Sequence, residues 1–313
     1  MNFEDKKILV IGDAILDEYV EGLVTRISPE APIPILNKTN TYYRLGGCLN
    51  VAKNLTSLGS KVWVISRIGG GSAGNIIRKL LDESKINIDL LITEDNIPTT
   101  VKTRFVSNQH QLLRVDEEDC TSFEYHKNIL NILHNDLDRH LRYFDGVIIS
   151  DYNKGVVFPK LITQLGELNL KYNKVLVADT KKEDITLFKN YTCLTPNVSE
   201  FKKLLRLNDN PKTEERINQI LFGQRIKNLL VTKSEEGMVL FHPDLNTTTH
   251  LPAEQKNITD VSGCGDTVTA IYTLCLTCGL PPYMCAKLAN KGAGIVATKF
   301  GTATITHKEL FNA

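Results

Sequence analysis

Short apolar runs recur along this chain, and most are followed by a stretch with helical spacing. KILVIG, from Lys7, reads as a buried strand, and KVWVIS, from Lys61, as the next. GVIIS (146–150), KVLVAD (174–179) and NLLVT (228–232) add three more. Between them, apolar side chains fall three and four residues apart. One such helix is expected over 47–58, with Val51, Leu55 and Leu58 on one face and Gly59 as its stop. Others are NIIRKLLDE and the stretches near 124–140, 159–170 and 212–222. Strands with no polar alternation need cover on both faces. The alternation therefore predicts an α/β fold: a parallel sheet covered by helices on both faces.

Two stretches break this rhythm. Residues 19–36 and 99–115 alternate apolar and polar side chains at period two, which suits antiparallel strands exposed on one face. Pro29, Pro32 and Pro34 assign the first stretch to an edge. We read them as a small β-sheet lid inserted into a single main domain spanning residues 1–313.

Composition excludes several classes. A formal net charge of +1 gives no field that would draw the chain to nucleic acid or acidic lipid. It has no apolar run of about 18 residues, the length a membrane span requires. No signal-peptide core precedes the first strand, so the cytoplasm is the expected compartment. The seven cysteines, an odd number, do not suggest a disulfide framework, and Cys275-x-x-Cys278 lies in an apolar helical stretch as two core thiols. No Walker A sequence occurs, and the histidines show no metal-ligand spacing.

The strongest motif is DVSGCGDTV, Asp260 to Val268, at the start of a helix. Gly263, Cys264 and Gly265 would present main-chain amides at the helix N-terminus, an anion hole for a phosphoryl group in transfer. Asp266 then stands beside that anion. A carboxylate binds a polyphosphate poorly, but it can act as base for a hydroxyl attacking in line. The plainer reading is a Gly-rich turn with Asp266 facing the helix dipole.

Gly46-Gly47-Cys48-Leu49-Asn50 opens another helix, where a hydroxyl-rich ligand could approach the backbone and bond to Asn50, although a Gly-Gly turn is common there. Asp13 follows the first strand, with Asp17 four residues on; it can accept from two sugar hydroxyls or cap the next segment. Asn197-Val198-Ser199-Glu200 is either a capping box or a site where Glu200 orients waters around Mg²⁺. Gly69, Gly71 and Gly74 spell G-x-G-x-x-G, which keeps a dinucleotide-dependent oxidoreductase among the alternatives.

Together these residues resemble the PfkB, or ribokinase-like, carbohydrate kinases. The first family signature runs from Gly46 through Asn50 and Ala52 to Gly59 and Gly69, and the second from Asp260 to Asp266 with Ala270. Cys48, Cys264, Ile271 and Gly71 depart from the family pattern. Within the family the chain resembles the bacterial D-glycero-β-D-manno-heptose-7-phosphate kinases. The runs that carry this are RISPEAPIP from Arg26, QLLRVD from Gln111, SDYNKG from Ser150, LTPNVSEF from Leu194 and VTKSEEGM from Val231. Its stand-alone kinase form is the one expected here, without the nucleotidyltransferase that many bacteria fuse to it.

The resemblance implies a ribokinase-like fold, with a Rossmann-like, mostly parallel central sheet and a β lid that pairs across a homodimer. It implies ATP and Mg²⁺, with Asp266 as base. Asp13, Gly46, Gly47 and Asn50 would hold the sugar. Lys181, Asn197, Val198, Ser199, Glu200, Thr232, Ser234, Gly237 and Asn290 would lie along the ATP groove, Glu200 reaching Mg²⁺ through water. Lys102 and Arg104 alternate on one lid strand, Arg114 lies on its partner, and Lys154 follows a strand end. Such basic groups suit a sugar phosphate better than a neutral sugar, or else merely solvate an edge strand. The alternatives are a ribokinase-, fructokinase- or nucleoside-kinase-like enzyme and a non-catalytic sugar-binding protein.

Overall fold

A computed structural model describes residues 2–122, 137–207, 213–254 and 258–312. Its strands are β1 (Lys7–Gly12), β2 (Ala14–Ile27), β3 (Pro34–Gly47), β4 (Lys61–Gly69), β5 (Leu91–Glu94), β6 (Val101–Ser107), β7 (His110–Glu117), β8 (Gly146–Ser150), β9 (Val175–Asp179), β10 (Cys193–Leu194), β11 (Asn228–Thr232), β12 (Met238–His242) and β13 (Thr247–Leu251). The helices are α1 (Cys48–Ser57), α2 (Ser72–Glu83), α3 (Leu137–Tyr143), α4 (Pro159–Tyr172), α5 (Val198–Leu204), α6 (Glu214–Gly223), α7 (Cys264–Thr277), α8 (Pro282–Ala297) and α9 (His307–Asn312). The expected helix near 124–140 lies mostly outside the described residues, which show its end as α3.

A nine-stranded sheet, ordered β13-β12-β11-β10-β9-β8-β1-β4-β5, forms the centre. Its pairs are parallel except at one edge, where β11, β12 and β13 run antiparallel. Consecutive residues of one strand serve opposite cores. Ile8 and Val10 of β1 pack with α1, α7 and α8, whereas Leu9 and Ile11 pack with α3, α4 and α6. That double burial is why the strands read as unbroken apolar runs.

The second sheet is ordered β3-β2-β6-β7. β2 and β3 form a long antiparallel hairpin from Ala14↔Gly47 to Ile27↔Pro34. The edge strand is β3, which begins at Pro34; β2 is interior, between β3 and β6, so the edge assignment of 19–36 holds only for its last residues. β3 runs on to Gly47 and delivers the chain directly into α1. β6 and β7 turn at Asn108 and Gln109, whose φ of 50° and 65° suit a tight primed hairpin turn. No helix among the described residues is long and apolar enough to cross a membrane. All seven cysteines are free thiols.

Candidate active site

Strand order reverses at β1, whose neighbours are β4 and β8. Parallel sheets leave a crevice beyond the strand ends at such a point. Asp13 stands there, 1% exposed, and accepts the backbone N–H groups of Tyr152 (2.8 Å), Lys154 (3.0 Å) and Val156 (3.0 Å). The carboxylate expected to bind sugar thus fastens the turn after β8 through three of its acceptor positions. The carboxylate that faces the second sheet is Asp17, 2% exposed and paired with Arg104 at 2.6 Å. Gly46 makes room for it, since a Cβ there would lie 2.5 Å from Asp17 Oδ2.

Asp266 lies in the first turn of α7, 4% exposed. Asn50 Nδ2 donates to its Oδ2 at 2.7 Å and the Tyr152 hydroxyl to its Oδ1 at 2.8 Å. Burial raises its pKa to about 6 against the lowering effect of these two bonds, and the charge of Asp17 raises it further. A carboxylate so tuned takes up a proton near neutral pH. Asn50, expected as a sugar ligand, is fully buried against this carboxylate. Gly263, with φ of 80°, caps α7 beside Asn50.

Gly263, Gly265 and Asp266 border a polar cavity of about 180 Å³ that also meets Asp151, Tyr152, Asp179, Lys181, Asn197, Glu200 and Thr232. A second cavity of about 240 Å³ adjoins it, sharing Asn197, Thr232 and Gly265. Its wall is apolar, with Met238, Ile258, Val261, Val268 and Ala297, plus Ser234, Gly237 and Asn290. The structure thus brings seven of the nine expected groove residues to two joined cavities. Val198 and Ser199 are the exceptions: Val198 packs against the core, and Ser199 is exposed. Asn197 and Glu200 form a true capping box on α5, at 3.0 Å in each direction. Glu200 also meets Lys181 at 3.2 Å. Asp179 is pushed well up by burial and by the charges of Glu200, Asp266 and Asp151. The Gly69–Gly74 turn joins β4 to α2 and borders neither cavity.

The basic residues divide. Register places Asp17 opposite Arg44 and Lys102, and Tyr19 opposite Tyr42 and Arg104, with Arg104 opposite Arg114, so all share one face of the second sheet. Arg114 is exposed and bonds Asp116 at 2.8 Å, and Lys154 meets Glu118 at 2.5 Å. Lys102 has no ion pair within 4.0 Å among the described residues; burial lowers its pKa, and its Nζ lies 5.5 Å from the Tyr152 ring centre. Cys264 borders the apolar cavity, and burial together with Asp260 and Asp266 pushes its thiol up to about 11. Helix position alone would have favoured the thiolate; burial and two carboxylates outweigh it. Tyr152, Asp17 and Asp179 escaped the motif reading. The signal available for Tyr152 was its place directly after a strand at the reversal of the sheet.

The family model described as pfkB family carbohydrate kinase matches residues 5–309. The bifunctional protein HldE of Desulfatibacillum aliphaticivorans is 36% identical over 312 residues, 98% of this chain and 63% of that protein. The HldE of Actinobacillus pleuropneumoniae serotype 5b is 35% identical over 312 residues, 99% of this chain and 64% of its own. The chain thus spans less than two thirds of the length of these relatives. Among solved structures, phosphofructokinase-2 of Escherichia coli in complex with potassium superposes with a TM-score of 0.78 at 16% identity, covering 98% of this chain and 97% of that one. The ribokinase of Arabidopsis thaliana complexed with ribose and ATP gives 0.75 at 18% identity, covering 98% of each. At such identities these two likenesses establish the ribokinase-like fold alone.

Proposed function

The chain belongs to the pfkB family of carbohydrate kinases, and from that premise we propose that it phosphorylates the anomeric hydroxyl of D-glycero-β-D-manno-heptose 7-phosphate with ATP, forming the 1,7-bisphosphate for nucleotide-heptose and cell-surface glycan synthesis. One observation carries the mechanism: a buried carboxylate, Asp266, sits at the N-terminus of α7 where two cavities meet. Adenine fits the apolar cavity and the phosphates the polar one. The amides of Gly263 and Gly265 neutralise the transferring phosphoryl group, whereas the Cys264 amide expected beside them donates to the Val261 carbonyl at 3.2 Å; Asp266 takes the proton of the attacking hydroxyl.

Mg²⁺ suits the polar cavity because Asp151, Asp179, Glu200 and Asp266 outnumber Lys181 around it. Among the described residues no three such groups converge tightly enough to hold a bare metal ion, which favours Glu200 acting through water. When bound, the ion offsets the phosphate charge.

Lys102 supports a phosphorylated substrate. It is a half-buried cation that makes no ion pair within 4.0 Å among the described residues, with Asp17 and Asp266 acting on it only at longer range, so it is placed to meet the anionic end of a substrate. The resemblance of residues 26–34 to heptose-phosphate kinases and the relatives named HldE point the same way. In this reading the second sheet is a lid. Its exposed Leu23, Ile27, Leu113 and Val115 pair across a cytoplasmic homodimer. The test is nucleotide consumption with heptose 7-phosphate, hexose phosphates and each dephosphorylated sugar, with NAD reduction followed in parallel. Turnover of phosphosugars alone is expected. Equal turnover of both forms would move the assignment to a ribokinase- or fructokinase-like enzyme.

A further inference from the structure

Tyr152 stands where three parts of the molecule meet. Its hydroxyl donates to Asp266 Oδ1 at 2.8 Å. Its backbone N–H is held by Asp13 Oδ2 at 2.8 Å, one of the three bonds by which that carboxylate fixes the turn. Its ring centre lies 5.5 Å from Lys102 Nζ, which comes from the second sheet, and 5.7 Å from Lys181 Nζ, which comes from the loop after β9. Both are within cation–π range.

We propose that Tyr152 is the positioning residue of the base: its hydroxyl fixes the Oδ1 edge of Asp266, Asn50 fixes Oδ2, and Asp13 holds the peptide that carries the tyrosine. This rests on the reading of Asp266 as the base. A carboxylate oxygen accepts two hydrogen bonds, so one donor on each leaves room for the sugar hydroxyl. In the transfer, the hydroxyl oxygen bonds to the γ-phosphorus and its proton passes to Asp266. The bond from phosphorus to the bridging oxygen breaks, and ADP leaves. Tyr152 gives up no proton. Burial and the charges of Asp266 and Asp179 keep its phenol neutral and donating. The role accounts for a buried carboxylate after β1 that accepts three backbone N–H groups of the turn carrying Tyr152.

Other titratable groups also face Asp266. They are Asp17 from β2, Lys102 from β6, Asp179 at the end of β9, Cys48 from α1 and Cys264 of its own helix, with Asp151, Lys181 and Glu200 around the same cavity. All of them are retained when the tyrosine hydroxyl alone is removed. That bond stabilises the ionised carboxylate, so its loss moves the titration of Asp266 upward. A tyrosine that only packs would leave it in place.

The experiment is a ¹³C NMR titration of aspartate carboxyl carbons in the full chain and in Tyr152→Phe. The Asp266 resonance is assigned by its loss in Asp266→Asn. We expect its midpoint to rise by about one pH unit in the Phe variant. The acid limb of kcat/KM should rise with it, with kcat down about tenfold and the nucleotide KM unchanged. An unmoved Asp266 midpoint overturns the proposal. The titration needs no substrate, so it stands or falls apart from the sugar assignment, whereas a wild type inactive on every sugar would overturn the functional reading itself.

Discussion

Asn50 and Asp266, 216 residues apart, meet through a buried 2.7 Å hydrogen bond. One opens α1 and the other opens α7, so the two most informative glycine-rich motifs converge on a single carboxylate. The geometry leaves no room for change at the neighbouring cap. A Cβ on Gly263 would lie 2.7 Å from Asn50 Nδ2, at a φ of 80° that side chains rarely adopt.

Gly263→Ala should therefore cost about 1–3 kcal/mol of stability. It should also lower kcat, because Asn50 must move away from Asp266. Thermal unfolding and steady-state kinetics on the same preparation check both effects. Unchanged Tm and kcat would mean that the cap and the amide are not packed as described.

The pH dependence follows from burial. Asp266 has its pKa raised from 3.8 to about 6, so it is protonated, and unable to accept a proton, below that range. The acid limb of kcat/KM should have its midpoint near pH 6. A limb near pH 4 would place the carboxylate in solvent and contradict its burial.

Lys102 and Arg114 share a face but not a role. Lys102 is half-buried and makes no ion pair within 4.0 Å among the described residues, whereas Arg114 is exposed and bonded to Asp116. Losing one charge-assisted contact costs about 1.5–3 kcal/mol. Lys102→Met should thus lower kcat/KM for a phosphosugar roughly 10–100-fold, while Arg114→Ala changes it less than threefold. Comparable losses in both variants would reassign the anion contact to the strand edge.

Alkylation separates helix position from burial at Cys264. Its thiol is pushed up to about 11, while Cys120 is exposed. Iodoacetamide should label Cys120 well before Cys264, leaving activity largely intact, as mass spectrometry of timed samples would reveal. Fast Cys264 labelling that Mg-ATP blocks would restore the thiolate expected of an N-terminal cysteine.

How legible was this in the sequence? β8 and β11 match their apolar runs residue for residue, because double burial leaves no polar interruption to blur their ends. β3 was seen only at its start, since its burial pattern does not alternate cleanly. Asp266 was legible because two glycines precede it at a helix start. Asp13 and Asp17 were not separable, for both follow β1 and only the sheet decides which one the turn after β8 consumes. Tyr152 lies in the SDYNKG run, but nothing in that run assigns it a partner, which it meets across 114 residues.

In the proposed transfer Asp266 takes the proton of the sugar hydroxyl. Asp266→Asn keeps the shape and removes the base, so it should lower kcat by ~10²–10⁴ with a heptose 7-phosphate substrate. Nucleotide affinity, measured by calorimetry on the same variant, should be unchanged or slightly tighter because a negative charge beside the phosphates is gone. A variant that keeps more than about a tenth of the wild-type kcat contradicts the account.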